Sequence, residues 1–246
     1  MRVSAKTDIG RGRSENQDHY RSGVLPSGYA WGLVCDGMGG GYDGKLAGNL
    51  AANCIEDEVY TGLDKPTADV KVLLTQAILK ANTEVFEKAG QEGQIMGTTV
   101  VCAVLQGQKL CLAHVGDSRA YLYQNGVLQP LTRDHSMVQE MVEQGLISKE
   151  EAVHHPEKNV ITRAVGVEET VEVEYSEHTA QLGALLLLCT DGLTNMVPDE
   201  TIAGLMQQTD FYDLAGALVG AALVVGGNDN ITVLLMQVEE DEADAG

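Results

Sequence analysis

Four aspartates, each set in a turn with glycine, serine or asparagine, carry the chemistry available to this chain. Asp36 lies in Val34-Cys35-Asp36-Gly37-Met38-Gly39-Gly40 and Asp117 in Val115-Gly116-Asp117-Ser118-Arg119. Asp191 lies in Leu188-Cys189-Thr190-Asp191-Gly192 and Asp229 in Gly227-Asn228-Asp229-Asn230-Ile231. Asp36 and Asp191 each close an apolar run that reads as a buried strand, Trp31 to Cys35 and Ala184 to Cys189. A carboxylate at the end of a buried strand is expensive to desolvate unless a cation meets it. The same arrangement occurring twice, far apart in sequence, points to one shared site for a hard, oxygen-ligated divalent ion and to chemistry done by metal-bound water.

An anion-binding candidate lies at the amino terminus. Thr7-Asp8-Ile9-Gly10-Arg11-Gly12-Arg13-Ser14-Glu15-Asn16-Gln17-Asp18 combines closely spaced arginines with acids. The fork of Arg13 suits a phosphate bidentately, and Asp18 is placed to order metal-bound waters from one layer out. Taken alone, the same residues read more simply as a surface ion-pair cluster.

Rival templates fit poorly. Gly39-Gly40-Gly41-Tyr42-Asp43-Gly44 matches G-x-G-x-x-G after a strand, and through Lys45 it nearly matches a P-loop. Leu46 stands where a P-loop needs Ser or Thr, and the pattern downstream is rich in hairpins rather than β-α-β units. None of the five cysteines has an arginine six positions on, no G-x-S-x-G elbow occurs, and His154-His155 lacks zinc-site spacing.

The elements that must position these groups read as one domain of 246 residues, with a carboxyl-terminal acidic tail, 239–246, expected to be disordered. Strands are expected at 30–35, 98–105, 109–115, 119–124, 127–131, 170–176, 184–189 and 231–238. Helices are expected at 45–60, 67–89, 199–208 and 211–224, with 37–44 a glycine-rich loop. Residues 134–165 stand apart as polar, His-containing and helical in short pieces at 137–144 and 149–153. Two helices, a run of hairpins, two more helices and a closing strand give an α+β domain layered α/β/β/α.

Sixteen Lys+Arg against 36 Asp+Glu, a net charge of −20, argue against nucleic acid or an anionic membrane as partner. Five cysteines without a C-x-x-C pair read as reduced core thiols of a cytoplasmic protein. No apolar leader opens the sequence, and the run Leu214 to Val225 is too short to cross a bilayer.

With these motifs in hand, the chain resembles the metal-dependent Ser/Thr protein phosphatases of the protein phosphatase 2C (PPM) family, in their compact bacterial single-domain form. The matching stretches run from Arg13–Asp18 through Asp36-Gly37-Met38-Gly39-Gly40, Gly97-Thr98-Thr99, Val115 to Tyr121, Thr132 to Ser136, Asn159 to Ala164 and Thr190 to Leu193, to Gly227 to Thr232. They occur in the family's order. The resemblance implies two packed antiparallel sheets flanked by helices, with a phosphatase domain over 1–238 and a flap subdomain near 134–165. It implies that Asp36 bridges two Mn²⁺ or Mg²⁺ ions, with the Gly37 carbonyl on the second and Asp191 and Asp229 on the first. Asp117 with Asp191 would hold a third, weaker ion, Asp18 would act through water, and Arg13 would clamp the substrate phosphate. The implied reaction is hydrolysis of phosphoserine and phosphothreonine by a metal-activated water without a covalent intermediate. The implied setting is a cytoplasmic monomer opposing a bacterial eukaryotic-like Ser/Thr kinase, its partners the phosphorylated proteins; the alternative is a weak or inactive phosphoprotein-binding regulator. One departure stands out. Most bacterial relatives carry histidine, a proposed general acid, where this chain has Gly41. The expectation is that metal-bound water protonates the leaving group here, so that Gly41→His would speed phosphothreonine peptides far more than p-nitrophenyl phosphate.

Overall fold

In the computed structural model, which describes residues 1–39, 42–65 and 69–239, the chain opens with two strands, β1 (Arg2–Asp8) and β2 (Asp18–Val24). Strand β3 (Tyr29–Gly39) leads into helices α1 (Tyr42–Leu63) and α2 (Val70–Glu92). A run of strands follows: β4 (Met96–Thr98), β5 (Val100–Gln106), β6 (Lys109–Val115), β7 (Arg119–Gln124) and β8 (Val127–Pro130). After the short helices α3 (Met137–Glu143) and α4 (Lys149–Val153) come β9 (Glu174–Thr179) and β10 (Leu185–Cys189). Helices α5 (Asp191–Thr194), α6 (Asp199–Gln208) and α7 (Phe211–Val224) precede the last strand, β11 (Ile231–Gln237).

The strands pair antiparallel into two sheets, β1-β11-β10-β7-β8 and β2-β3-β5-β6-β9, with β4 added to the far end of β3. Alternation along each strand sets the layers, because successive side chains point to opposite faces. On β3, Trp31, Leu33 and Cys35 face α1 and α2, while Ala30 and Val34 face the other sheet. On β11, Val233 and Leu235 pack under α7, and Leu234 and Met236 meet β3 across the sandwich. Gly32 lets the sheets approach closely, since a Cβ there would lie 2.7 Å from Leu234 Cδ2. This is the expected α/β/β/α sandwich, and all five cysteines are buried and unpaired within it.

The differences from the sequence reading have local causes. β1 and β2 carry half-buried, mixed polar residues at sheet edges, so no apolar run announces them. β3 runs on to Gly39 rather than ending at 35, because Gly37, Met38 and Gly39 pair with Thr98, Gly97 and Met96. The strand expected at 170–176 sits at Glu174–Thr179, against β6; Val171 and Val173, which mimic strand alternation, pack instead as a loop against the helical side of the core. Of the acidic tail, 240–246 lie outside the described residues; Glu239 pairs with the terminal amine of Met1 at 3.2 Å and with Arg2 at 2.6 Å. Among the described residues no helix is long and apolar enough to cross a membrane.

Candidate active site

Register brings the first two acids together. β2 and β3 pair so that Asp18 lies directly opposite Asp36, and antiparallel neighbours of this kind sit about 5 Å apart. Asp191 begins α5 just past the end of β10, and its carboxylate comes close enough to Asp36 for the two charges to act on each other. Gly192 makes that approach possible, because a Cβ there would fall 2.0 Å from the Asn230 carbonyl. Asp229 lies two residues before the start of β11, and Asp117 lies in the turn between β6 and β7. The structure thus gathers Asp18, Asp36, Asp117, Asp191 and Asp229 at one end of the sandwich.

Hydroxyls and one amide hold the acids in place. Thr190 donates from Oγ1 to Asp18 Oδ2 at 2.9 Å and accepts from the Thr232 N–H at 2.9 Å, tying the sheets together beneath the cluster. Thr99 Oγ1 accepts the Asp36 N–H at 3.0 Å and lies 2.7 Å from Ser118 Oγ, which links the Asp117 turn to β3. Asn230 is buried; its amide donates to the carbonyls of Ile9 and Glu15, and its oxygen accepts the Gln17 N–H. Those bonds lay the 9–17 loop along the start of β11 and carry Arg13 to Asp229, with Nη2 donating to Oδ2 at 2.7 Å. Gly10, at φ +74°, is required by the same approach, since a Cβ would come 2.0 Å from the Asp229 carbonyl. Gly37 packs under the first turn of α1, where a Cβ would meet the Gly44 carbonyl at 2.1 Å. None of these positioning roles for Thr99, Ser118, Thr190 and Asn230 was legible beforehand; the only signal was hydroxyl and amide side chains flanking each aspartate.

Electrostatically the cluster is under-compensated. Among the described residues Arg13 is the one cation ion-paired to it. Burial pushes Asp18 and Asp117 up to about 7, with further push from Asp191. Burial, then the charges of Asp18, Asp191, Asp117 and Asp229, hold Asp36 well above the ordinary carboxylate value. Asp191 is raised by burial and by Asp229. The Arg13 guanidinium is raised in turn by its hydrogen bond to Asp229. Two buried oxygens, Asp18 Oδ1 and Asp191 Oδ1, have no hydrogen-bond partner. Converging carboxylates with orphaned oxygens are a donor set for hard divalent cations, so the residues fit the metal that the sequence pattern called for.

A second polar cluster lies nearby. His114 and His135 stack with ring centroids 4.7 Å apart, and one ligand atom from each, with one from Glu174, fall within 4.8 Å of one another. Here three of the four ring nitrogens are already used. His114 Nε2 bonds the Arg133 carbonyl at 2.9 Å, His135 Nδ1 accepts the Gly116 N–H at 3.1 Å, and His135 Nε2 faces Glu174 at 3.3 Å. Accepting a backbone N–H fixes the proton of His135 on Nε2, so that nitrogen has no lone pair to offer a metal. His135 lies against the Gly116 backbone, on the flank of the Asp117 turn. Gly41 lies outside the described residues.

The model of the protein phosphatase 2C family matches residues 9–230, a span that contains every residue of the cluster. The chain belongs to the protein phosphatase 2C family. It is 39% identical over 243 residues to the serine/threonine phosphatase stp of Listeria monocytogenes, covering 96% of each chain. The crystal structure of the Mycobacterium tuberculosis serine/threonine phosphatase PstP superposes with a TM-score of 0.89 at 34% identity, covering 97% of this chain and 99% of that one. A further structure, the PstP catalytic domain in complex with two manganese ions, matches with a TM-score of 0.86 at 33% identity, covering 97% and 98%. The sandwich is that of a protein phosphatase 2C.

Proposed function

We propose that this protein phosphatase 2C is a divalent-metal-dependent protein serine/threonine phosphatase, acting on phosphoserine and phosphothreonine in proteins. The observation that carries the reading is the convergence of Asp36, Asp191, Asp229, Asp117 and Asp18 with oxygens left unpaired. Asp36, Asp191, Asp229 and the Gly37 carbonyl would hold two core ions, Mn²⁺ or Mg²⁺. Asp117 with Asp191 would take a weaker third, and Asp18 would act through water. When bound, such ions lower the pKa of a water and neutralise charge on a phosphate in line for displacement.

The chain's own residues do the rest. Arg13 stays cationic beside Asp229 and turns its fork to the substrate phosphate, which binds bidentately. Thr190 and Thr232 hold Asp18, and Thr99 holds the backbone of Asp36, so the carboxylates are fixed before substrate arrives. Residues 134–165 form the flap beside the site within a domain spanning 1–238. Their entry is clamped by the bidentate Arg119–Asp134 pair, at 2.8 and 2.7 Å. The partners are phosphorylated proteins and a cognate Ser/Thr kinase, and the protein works as a cytoplasmic monomer.

Phosphate release from a phosphothreonine peptide in Mn²⁺ tests this. Turnover abolished by EDTA and by Asp36→Ala is expected. No turnover in Mn²⁺ or Mg²⁺ from protein shown to be folded would move the chain to a phosphoprotein-binding regulator.

A further inference from the structure

A cavity of about 330 Å³ lies beside the carboxylate cluster, between the end of β3 and the segment 161–172. That is about the lower end of the 300–1,000 Å³ range of small-ligand pockets. Met38 forms one wall; it is two residues past Asp36 on β3, so both side chains leave the same face of the strand, about 7 Å apart along it. Ile161, Val167 and Val171 supply the remaining apolar wall. Met38 thus places one wall of the cavity on the face of β3 that carries Asp36.

The wall is held rigid from behind. Asn82, buried on α2, accepts the Gly166 N–H at 2.7 Å and donates to the carbonyls of Glu168 at 3.0 Å and Glu169 at 3.2 Å. Thr98 and Val165 exchange two backbone bonds of 2.9 Å. Gly166, at φ +90°, and Gly97 allow this seating: a Cβ on the first would lie 2.1 Å from Val85, and on the second 2.7 Å from Val167. A pocket whose wall is pinned by a buried amide is formed before any ligand arrives, which lowers the ordering cost of binding.

Its chemistry is amphipathic with a net negative mouth. Glu168 and Glu172 line the rim, and the one cation there, Arg163, is already met by Glu172 at 3.1 Å. Glu168 enters no ion pair among the described residues. An aliphatic body with a cationic tip matches an apolar wall below a free carboxylate.

We propose that this cavity is a specificity subsite taking the side chain of a lysine or arginine about two or three residues from the phosphorylated one. It rests on the phosphatase reading above. Long basic side chains bury their stems against Met38, Ile161 and Val167 and place their charge at Glu168. Substrates with acidic residues in that position are rejected by the same carboxylate and by the net charge of −20.

The test is a panel of phosphothreonine peptides on an alanine background, with one lysine or one glutamate walked through the positions on either side. It is assayed in Mn²⁺ beside p-nitrophenyl phosphate, which is too small to reach the cavity. Lysine at one position or two adjacent positions should raise kcat/KM about fivefold to tenfold over alanine, and glutamate there should lower it. Glu168→Lys should invert the preference at that position, and Val167→Trp, which fills the cavity, should flatten it. Each variant's profile is scaled to its own p-nitrophenyl phosphate turnover. A flat lysine profile with normal p-nitrophenyl phosphate turnover would overturn the subsite while leaving the phosphatase standing. Absence of turnover on every substrate would overturn both.

Discussion

The five-aspartate cluster and the His114–His135–Glu174 cluster are neighbouring gatherings of metal-ligating side chains, and they differ in what their atoms touch. Around the histidines, three of the four ring nitrogens are engaged by Arg133, Gly116 and Glu174. Around the aspartates, like charges face one another and two buried oxygens have no donor. Proximity of ligand atoms alone would rank the histidine trio as the metal site. Satisfaction of their hydrogen bonds reverses the ranking, because a satisfied polar group contributes to the fold and an orphaned one weakens it until a ligand arrives.

The largest effect that separates the two clusters comes from removing one ligating group from each. Asp36→Asn should cut peptide turnover by at least about 10³-fold, on the scale of losing a principal electrostatic group. The same change should stabilise the metal-free protein by about 1 kcal/mol, since it relieves repulsion with Asp18, Asp191, Asp117 and Asp229. His135→Ala should do the opposite to stability, losing about 2 kcal/mol by leaving the Gly116 N–H buried without an acceptor. Thermal melts in EDTA decide it. A lower melting temperature for Asp36→Asn would mean that the cluster is not strained, and the contrast between the two sites would fail.

That contrast also marks how much the sequence could say. The convergence of Asp36, Asp117, Asp191 and Asp229 was legible because each ends a strand or sits in a turn in a local pattern. Asp36 follows Trp31 to Cys35, and Asp191 follows the buried strand before Thr190. The layering was legible from the order of the elements and from the continuous apolar runs of β5, β6, β10 and β11, which are buried on both faces. What stayed hidden depends on partners far away in the chain. The clamp from Asn82 reaches 84 residues to Gly166, and Asp18 to Thr190 spans 172. Edge strands β1 and β2 bury only one face and are too polar to announce themselves. The histidine stack was invisible for the same reason: His114 and His135 belong to different elements and meet only once β6 and the segment after β8 fold together.

A smaller effect sharpens the comparison through pH. Asp18 and Asp117 sit at about 7 in the folded protein against an ordinary value near 4, so the metal-free fold holds more protons than the unfolded chain between those limits. Stability from these groups is therefore fully present below about pH 4 and falls as pH rises towards 7. A divalent ion reverses the trend by binding the deprotonated carboxylates. At a hundredfold excess over its dissociation constant it should add about 2.7 kcal/mol, or about 5–10 °C in melting temperature for a chain of this size. Melts at pH 5.5 and 7.5, with Mn²⁺ and with EDTA, measure both trends. A Mn²⁺ shift no larger at pH 7.5 than at 5.5 would rule out the aspartates as its ligands.

The smallest effect has the opposite sign and comes from the histidines. Burial lowers His114 against the upward pull of its bond to the Arg133 carbonyl and of Glu174 and Asp134, and burial with the neighbouring ring lowers His135 against the upward pull of Glu174. A folded-state value below the ordinary one means that the unfolded chain takes up protons first. Their contribution is complete above about pH 6.5 and is lost as pH falls through the folded values. Protonation at His135 Nδ1 would also place a second donor against the Gly116 N–H, so the acid loss has a defined structural origin. His114→Phe keeps a stacking ring, removes one titrating nitrogen pair and leaves the Arg133 carbonyl without its partner. It should be less stable than the parent at pH 7, yet lose less stability than the parent between pH 7 and 5. The comparison is made in EDTA on an Asp36→Asn background, where the opposing slope of the aspartates is weakened. Parallel pH profiles for the two proteins would show that the stacked pair does not titrate in the fold, and its hydrogen bonds would then be its whole role.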